Sequence, residues 1–130
     1  MKKVYFLQTC DTCRRILKEV NIDGFERQEI KANPVTVSQL EEMYSFSKSY
    51  EALFNKRAKK YKSMDLKGEV ISEQDYRQFI LDEYTFLKRP VFIVENEIFI
   101  GNSKKEIERL KERILDQTNP SVISILSALW

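Results

Sequence analysis

The chain has 130 residues, 42% of them hydrophobic and 32% charged, with a formal charge of +2 at pH 7. That size fits one domain able to bury roughly two-thirds of its extended surface. The balance excludes a disordered chain and gives no ground for nucleic-acid binding, and no apolar run approaches the ~18 residues of a membrane span.

Met1-Lys2-Lys3 followed by Val4-Tyr5-Phe6-Leu7 imitates the start of an export signal. Gln8 and Thr9 end the apolar run too early for one, so the expected location is the cytoplasm, where a permanent structural disulfide would be unusual. The same four residues suit a buried strand. Thr9 to Asp11 then supply turn and cap chemistry, and Ile16, Leu17 and Val20 mark one face of a helix starting near Asp11 or Thr12. Asn21, Asp23 and Gly24 end it, and Phe25 to Ile30 reads as a second, partly exposed strand. Strand, helix and strand in about 28 residues form a right-handed βαβ unit with a parallel pair.

Asn33-Pro34 breaks the chain before a helix marked by Val37, Leu40 and Tyr44, with Thr36 or Ser38 as its cap. A second helical stretch is expected from about Tyr50 to Lys60. Gly68 and Ser72 introduce a third, with Tyr76, Phe79, Ile80 and Tyr84 at helical period and Ser72 with Asp75 as a capping box. Arg89-Pro90 stops helical structure. Val91 to Val94 and Ile98 to Ile100 form a hairpin across Glu95-Asn96-Glu97. Gly101 closes it, and Ser103 caps a last helix with Ile107, Leu110, Ile114 and Leu115 at its apolar positions. The order is βαβ, a helical insert over about residues 34–85, then ββα, one domain across residues 1–130. Residues 119–130 form an apolar tail in which Val122, Ile125, Leu126 and Leu129 recur at helical spacing, as for a packed segment.

The chemistry points to Cys10-Asp11-Thr12-Cys13. Zinc takes four ligands, usually Cys and His, and this chain holds two cysteines and no histidine. An intramolecular zinc site cannot be completed, and only a metal shared between two copies remains open. A redox dithiol has a direct physical basis. Cys10 falls between strand and helix, where unpaired N–H groups and the positive end of the helix dipole favour a thiolate. Cys13 lies one turn further on and can resolve a mixed disulfide formed at Cys10. Arg14 and Arg15 add positive charge, Arg14 as an anion-binding candidate. The basic run Lys56 to Lys62 reads first as a solvated helix face, with an acidic protein partner as the functional alternative; direct nucleic-acid binding is not expected.

Thr9-Cys10-Asp11-Thr12-Cys13-Arg14-Arg15 after a first strand, with Leu87-Lys88-Arg89-Pro90 before a hairpin ending in Gly101, resembles the ArsC/Spx family over about residues 3–115. The resemblance implies a thioredoxin-like fold, a four-stranded mixed sheet with helices on both faces and an inserted helical lobe. It implies a cis peptide bond at Pro90, opposite the reactive cysteine. Cys10 matches the nucleophile. Cys13 matches the second cysteine of Spx proteins, a serine in many reductases. Arg89 matches an oxyanion-binding arginine and Arg57 an arginine of the insert, while Thr9, Thr12 and Pro90 shape the site. Two positions depart from the pattern. Asn102 stands where arsenate reductases carry a further arginine, and Phe46 to Tyr50 lacks the glycine with which Spx proteins contact the RNA polymerase alpha subunit.

The expected function is that of a cytoplasmic thiol–disulfide oxidoreductase, with arsenate or a related oxidised compound as substrate. No bound cofactor is implied, and electrons come from an external thiol such as glutathione or thioredoxin. The alternative is an Spx-like redox-sensing regulator that binds RNA polymerase.

Overall fold

The computed structural model describes residues 1–66 and 68–118; the expectation of a packed apolar tail at 119–130 falls outside them. Strand β1 (Lys2–Phe6) leads into helix α1 (Asp11–Glu19) and strand β2 (Glu26–Glu29), which pairs parallel to β1. Strand β3 (Val91–Val94) pairs antiparallel to β1 and to β4 (Glu97–Ile100), giving a four-stranded mixed sheet in the order β2-β1-β3-β4.

Side chains alternate across a strand, and this alternation divides the core. Val4, Phe92 and Val94 face α1 and α6 (Lys104–Thr118), packing with Ile16, Val20, Phe99, Leu110 and Ile114. Tyr5, Val91 and Ile93 face the helical insert and meet Leu40, Met43, Leu53, Phe54 and Ile80. β1 and β3 are therefore covered on both faces, which is why they read as nearly continuous apolar runs. Each large apolar side chain removed from water in this way contributes about 1.5–3 kcal/mol.

The insert holds α2 (Val37–Ser47), α3 (Tyr50–Leu53), α4 (Lys59–Ser63) and α5 (Glu73–Asp82), followed by a 3₁₀ turn at Tyr84–Phe86. Thr36 caps α2, and Gln39 completes a reciprocal capping box. The buried face of α2 is Leu40 and Met43. Val37 is 47% exposed, and Tyr44 lies at the surface, stacked on Tyr50. Tyr84 belongs to the 3₁₀ turn rather than to α5. Ser72 and Asp75 form the expected capping box. Ser72→Ala should therefore cost about 1 kcal/mol in urea unfolding; an unchanged midpoint would deny the cap its role.

The single helix expected over Tyr50 to Lys60 is two short helices separated by a bridge residue, Phe54, and a turn closed by Ala58 N–H on the Asn55 carbonyl. Phe54 leaves helical geometry and forms an antiparallel bridge with Leu87. Asn55 N–H donates to the Phe86 carbonyl at 2.7 Å, and Lys88 N–H donates to the Leu53 carbonyl at 2.8 Å. These long-range bonds replace the local helical ones, and no periodicity in the sequence marks the exchange. The Glu73 carboxylate accepts from the Tyr50 and Glu51 N–H groups, capping α3 from another helix.

On the far side of the sheet, Ser103 caps α6 through the Glu106 N–H. Of the apolar positions expected on α6, Ile107, Leu110 and Ile114 are buried, whereas Leu115 lies on the surface. The outer edge of β4 is occupied by side chains of this helix. Ile100 N–H donates to the Glu106 carboxylate at 3.0 Å, and Arg109 donates to the Ile98 carbonyl at 2.8 Å. Among the described residues no helix is long and apolar enough to cross a membrane.

Candidate active site

β1 ends at Phe6, and the chain turns so that Cys10 N–H donates to the Leu7 carbonyl. The Glu29 carboxylate, at the end of β2, accepts from Gln8, Lys31 and Ala32 N–H groups at 2.8 Å each. It ties the loop before the thiol to the loop after β2. Cys10 becomes the N-cap residue of α1 in extended geometry, half-buried, and Cys13 sits in the first turn, fully buried. The cysteines are near each other and both are free thiols.

Their surroundings push the two sulfurs apart in acidity. Burial raises the Cys10 thiol, but the Cys13 amide, the Cys13 thiol and the Arg89 guanidinium outweigh it, so its pKa falls below the ordinary value. The Cys10 sulfur makes no short cap hydrogen bond; the stabilisation comes from donors and charge close to it. Burial pushes Cys13 up to about 12, and the neighbouring Cys10 adds to the rise against a backbone hydrogen bond from Leu7.

Arg89, whose guanidinium lies near the thiol, directly precedes Pro90, and the peptide bond between them is cis. The Pro90 carbonyl accepts from Gly101 N–H at 2.9 Å, fixing the end of β4 beside it. Gly101 takes φ +86°, a left-handed conformation that L side chains rarely adopt. Arg89 Nη1 donates to the Thr85 and Leu87 carbonyls at 3.1 and 3.3 Å. Its Nε is buried with no hydrogen-bond partner among the described residues.

A cleft of about 850 Å³ opens over Cys10, lined among others by Glu51, Arg57, Lys88, Arg89 and Asn102. Arg57 arrives there through the exchange that ends α3. Asn55 is held to Phe86 by its backbone, and its side-chain carbonyl accepts Arg57 N–H at 3.1 Å. The structure thus brings Cys10, Arg57 and Arg89 to one cleft, with Cys13 buried one turn beyond Cys10; Pro90 is buried and does not line the cleft. Arg14 instead pairs with Asp11 at the exposed start of α1 and does not line the cleft. Thr9 is exposed and Thr12 half-buried, and neither lines the cleft.

Sequence reasoning missed Glu51, Asn55, Lys56 and Lys88. Glu51 accepts from Lys56 Nζ at 3.0 Å and from Tyr76 O–H at 2.9 Å, and Lys56 leads in holding its carboxyl below the usual range. Lys88 stands in the segment that carries the family resemblance, and its place beside Arg89 was the available signal. Among the described residues no group of His, Cys, Asp or Glu is arranged to hold a metal ion.

The ArsC family model matches residues 5–110. The chain is 27% identical over 117 residues to the global transcriptional regulator Spx 1 of Bacillus cereus, covering 87% of this chain and 88% of the relative. It is 22% identical to the Spx regulator of Enterococcus faecalis, covering 99% and 100%. Among solved structures, an ArsC family related protein from Bacteroides fragilis superposes with a TM-score of 0.70 at 21% identity, covering 85% of this chain and 97% of that one. An arsenate reductase from Vibrio cholerae superposes with a TM-score of 0.65 at 16% identity, covering 83% and 95%. These superpositions carry the thioredoxin-like fold; the match of the family model over most of the sequence carries the membership. The chain belongs to the ArsC family.

Proposed function

We propose that the protein is a cytoplasmic thiol–disulfide oxidoreductase in which Cys10 attacks and Cys13 resolves. One observation carries this reading: two sulfurs a turn apart, one half-exposed at the helix entrance and lining a cleft with Arg89, the other sealed in the core, surroundings that lower the pKa of the first thiol and raise that of the second. The thiolate is the nucleophile in disulfide exchange, so the first sulfur is the one disposed to attack while the second is held in reserve.

The steps follow from that asymmetry. Cys10 thiolate attacks one sulfur of a substrate disulfide, forms a mixed disulfide and releases the other sulfur as a thiolate. Cys13 gives its proton to that thiolate and attacks Cys10. The substrate leaves reduced by two electrons, and the Cys10–Cys13 disulfide remains. An external thiol, glutathione or a thioredoxin-type dithiol, returns the pair to the reduced state, with no bound cofactor. Arg57 and Arg89 bind the anionic part of the substrate. Arsenate, which holds no disulfide, is the other candidate substrate: Cys10 would displace water from its As(V), Cys13 would attack the Cys10 sulfur to release arsenite and leave the same disulfide, and Asn102 in place of an arginine leaves its oxygens one guanidinium fewer.

A second reading has its own support. The matched curated relatives are named as global transcriptional regulators, and the same pair would serve a regulator that senses oxidation and binds the RNA polymerase alpha subunit. Phe46 to Tyr50, without glycine, speaks against that contact. The two readings separate in one assay: the reduction potential of the pair, and turnover of arsenate or a model disulfide with a thiol donor, for wild type and Cys10→Ser. Turnover lost in Cys10→Ser is the expected result. An oxidisable pair without turnover, together with capture of RNA polymerase, would favour the regulator. A pair that resists oxidation would sink both.

A further inference from the structure

The cleft over Cys10 carries an excess of positive charge that the chain's overall +2 does not suggest. Glu51 is the carboxylate in its lining, and Lys56 and Tyr76 already engage it. Arg57 and Lys88 form no salt bridge among the described residues, and Arg89, which spends its Nη1 on two carbonyls, faces the Cys10 thiol rather than a carboxylate. Asp11, the acidic neighbour of the thiol, is taken by Arg14. Along the chain the sign repeats just beyond the lining, in what we call the lysine rim: Lys59 follows Arg57 by two residues, and Lys104 and Lys105 follow directly on Asn102 and Ser103, all three exposed.

Size narrows the ligand further. About 850 Å³ is far more than a tetrahedral oxyanion fills and lies within the range that takes molecules of many atoms, about 300–1,000 Å³. In an extended peptide a residue two positions from a cystine lies about 6.6 Å along the strand on the same side. That spacing lets flanking side chains reach cations beside the thiol while the sulfur stays at Cys10.

Taking the thiol–disulfide reading as its basis, we infer that the disulfide Cys10 attacks belongs to an acidic protein segment, a cystine flanked by Asp or Glu and seated against Arg57 and Lys88. The flanking carboxylates neutralise the cleft cations, and the bond exchange is the one balanced above: the segment's disulfide is reduced to two thiols as Cys10 and Cys13 are oxidised. The lysine rim steers approach, which raises the association rate more than the final affinity.

The test is single-turnover oxidation of the reduced protein by three disulfide-linked peptides alike except for Asp, Ser or Lys two positions to each side of the cysteine. At 20 mM salt the Asp peptide should react about 10-fold faster than the Lys peptide, and the ratio should fall toward one at 0.5 M salt, where screening is nearly complete. Lys88→Glu and, independently, Lys104→Glu with Lys105→Glu should lower the Asp-to-Ser ratio; the rim variant keeps the test decisive if the cleft variant fails to fold. Equal rates for the three peptides, or glutathione disulfide outpacing all of them, would overturn the inference while leaving Cys10 a thiol–disulfide nucleophile. No reaction with any peptide or with neutral 2,2′-dithiodipyridine would remove the underlying reading and the inference with it.

Discussion

Iodoacetamide at pH 7 is expected to label Cys10 and spare Cys13, and the pH midpoint for labelling Cys10 should lie below that of an ordinary thiol. The sign follows from the direction of the shift. A lowered pKa means that half of the Cys10 population is thiolate at a lower pH, and the thiolate is the species alkylated. Cys13, at about 12, is ionised to only roughly one part in 10⁵ at pH 7, and it is fully buried besides. Arg89→Leu removes a stabilising cation, and Cys13→Ala removes a stabilising thiol, so each should move the Cys10 midpoint upward. A wild-type midpoint at or above about 8.5 would contradict the account. The same physics explains how so weak an acid as Cys13 can act at all. Its pKa is raised in part by Cys10 itself. Once Cys10 is bound in a mixed disulfide its negative charge is gone, and Cys13 becomes easier to ionise at the step that needs it.

Phe54→Ala should be the most damaging single change in the insert, destabilising the protein by about 3–5 kcal/mol. Phe54 is completely buried, and its ring lies against those of Tyr61, Tyr76, Phe79 and Phe86. Removing it leaves a cavity where four other aromatic rings converge and weakens pair terms of about 0.5–1.5 kcal/mol each. At a urea slope of about 2 kcal/mol per molar, the loss would appear as a midpoint lowered by roughly 2 M. Function should suffer beyond stability. Phe54 pairs with Leu87, two residues before Arg89, and precedes Arg57 by three, so even a folded variant should bind anions at Cys10 less well. A midpoint within 1 M of wild type would show that the cluster repacks around the gap.

The parts of this fold that were legible in the sequence are those written by local pattern. β1, β3 and β4 announce themselves by short apolar runs, α1 by its period, and α2 and α5 by cap residues whose partners lie three positions on. Cys10 and Cys13 were readable because strand, turn and helix follow one another within a dozen residues. Arg57, Arg89 and Pro90 were reached through family resemblance, since nothing local ties residue 57 to residue 89. What failed to show was decided by partners distant in the chain. The break after Leu53 depends on hydrogen bonds to Phe86 and Lys88. Glu73 adds two long-range bonds to the local Ser49 cap of α3, and Glu51 meets Tyr76 across 25 residues. Arg14 was placed with the anion-binding residues by its nearness in sequence to Cys10, yet a nearer carboxylate, Asp11, claims it.

The side chains along β4 set a limit on how copies of this molecule can meet. A bare outer strand is a template for another chain's backbone. Here the Ile100 N–H and the Ile98 carbonyl, the groups an incoming strand would seek, are held by Glu106 and Arg109. An intruder would have to break two charge-assisted bonds and lift Arg109 from the face of Phe99, 4.0 Å beneath it. Fibrillar growth through this flank is therefore disfavoured, and Glu106→Ala with Arg109→Ala is the change that would invite it.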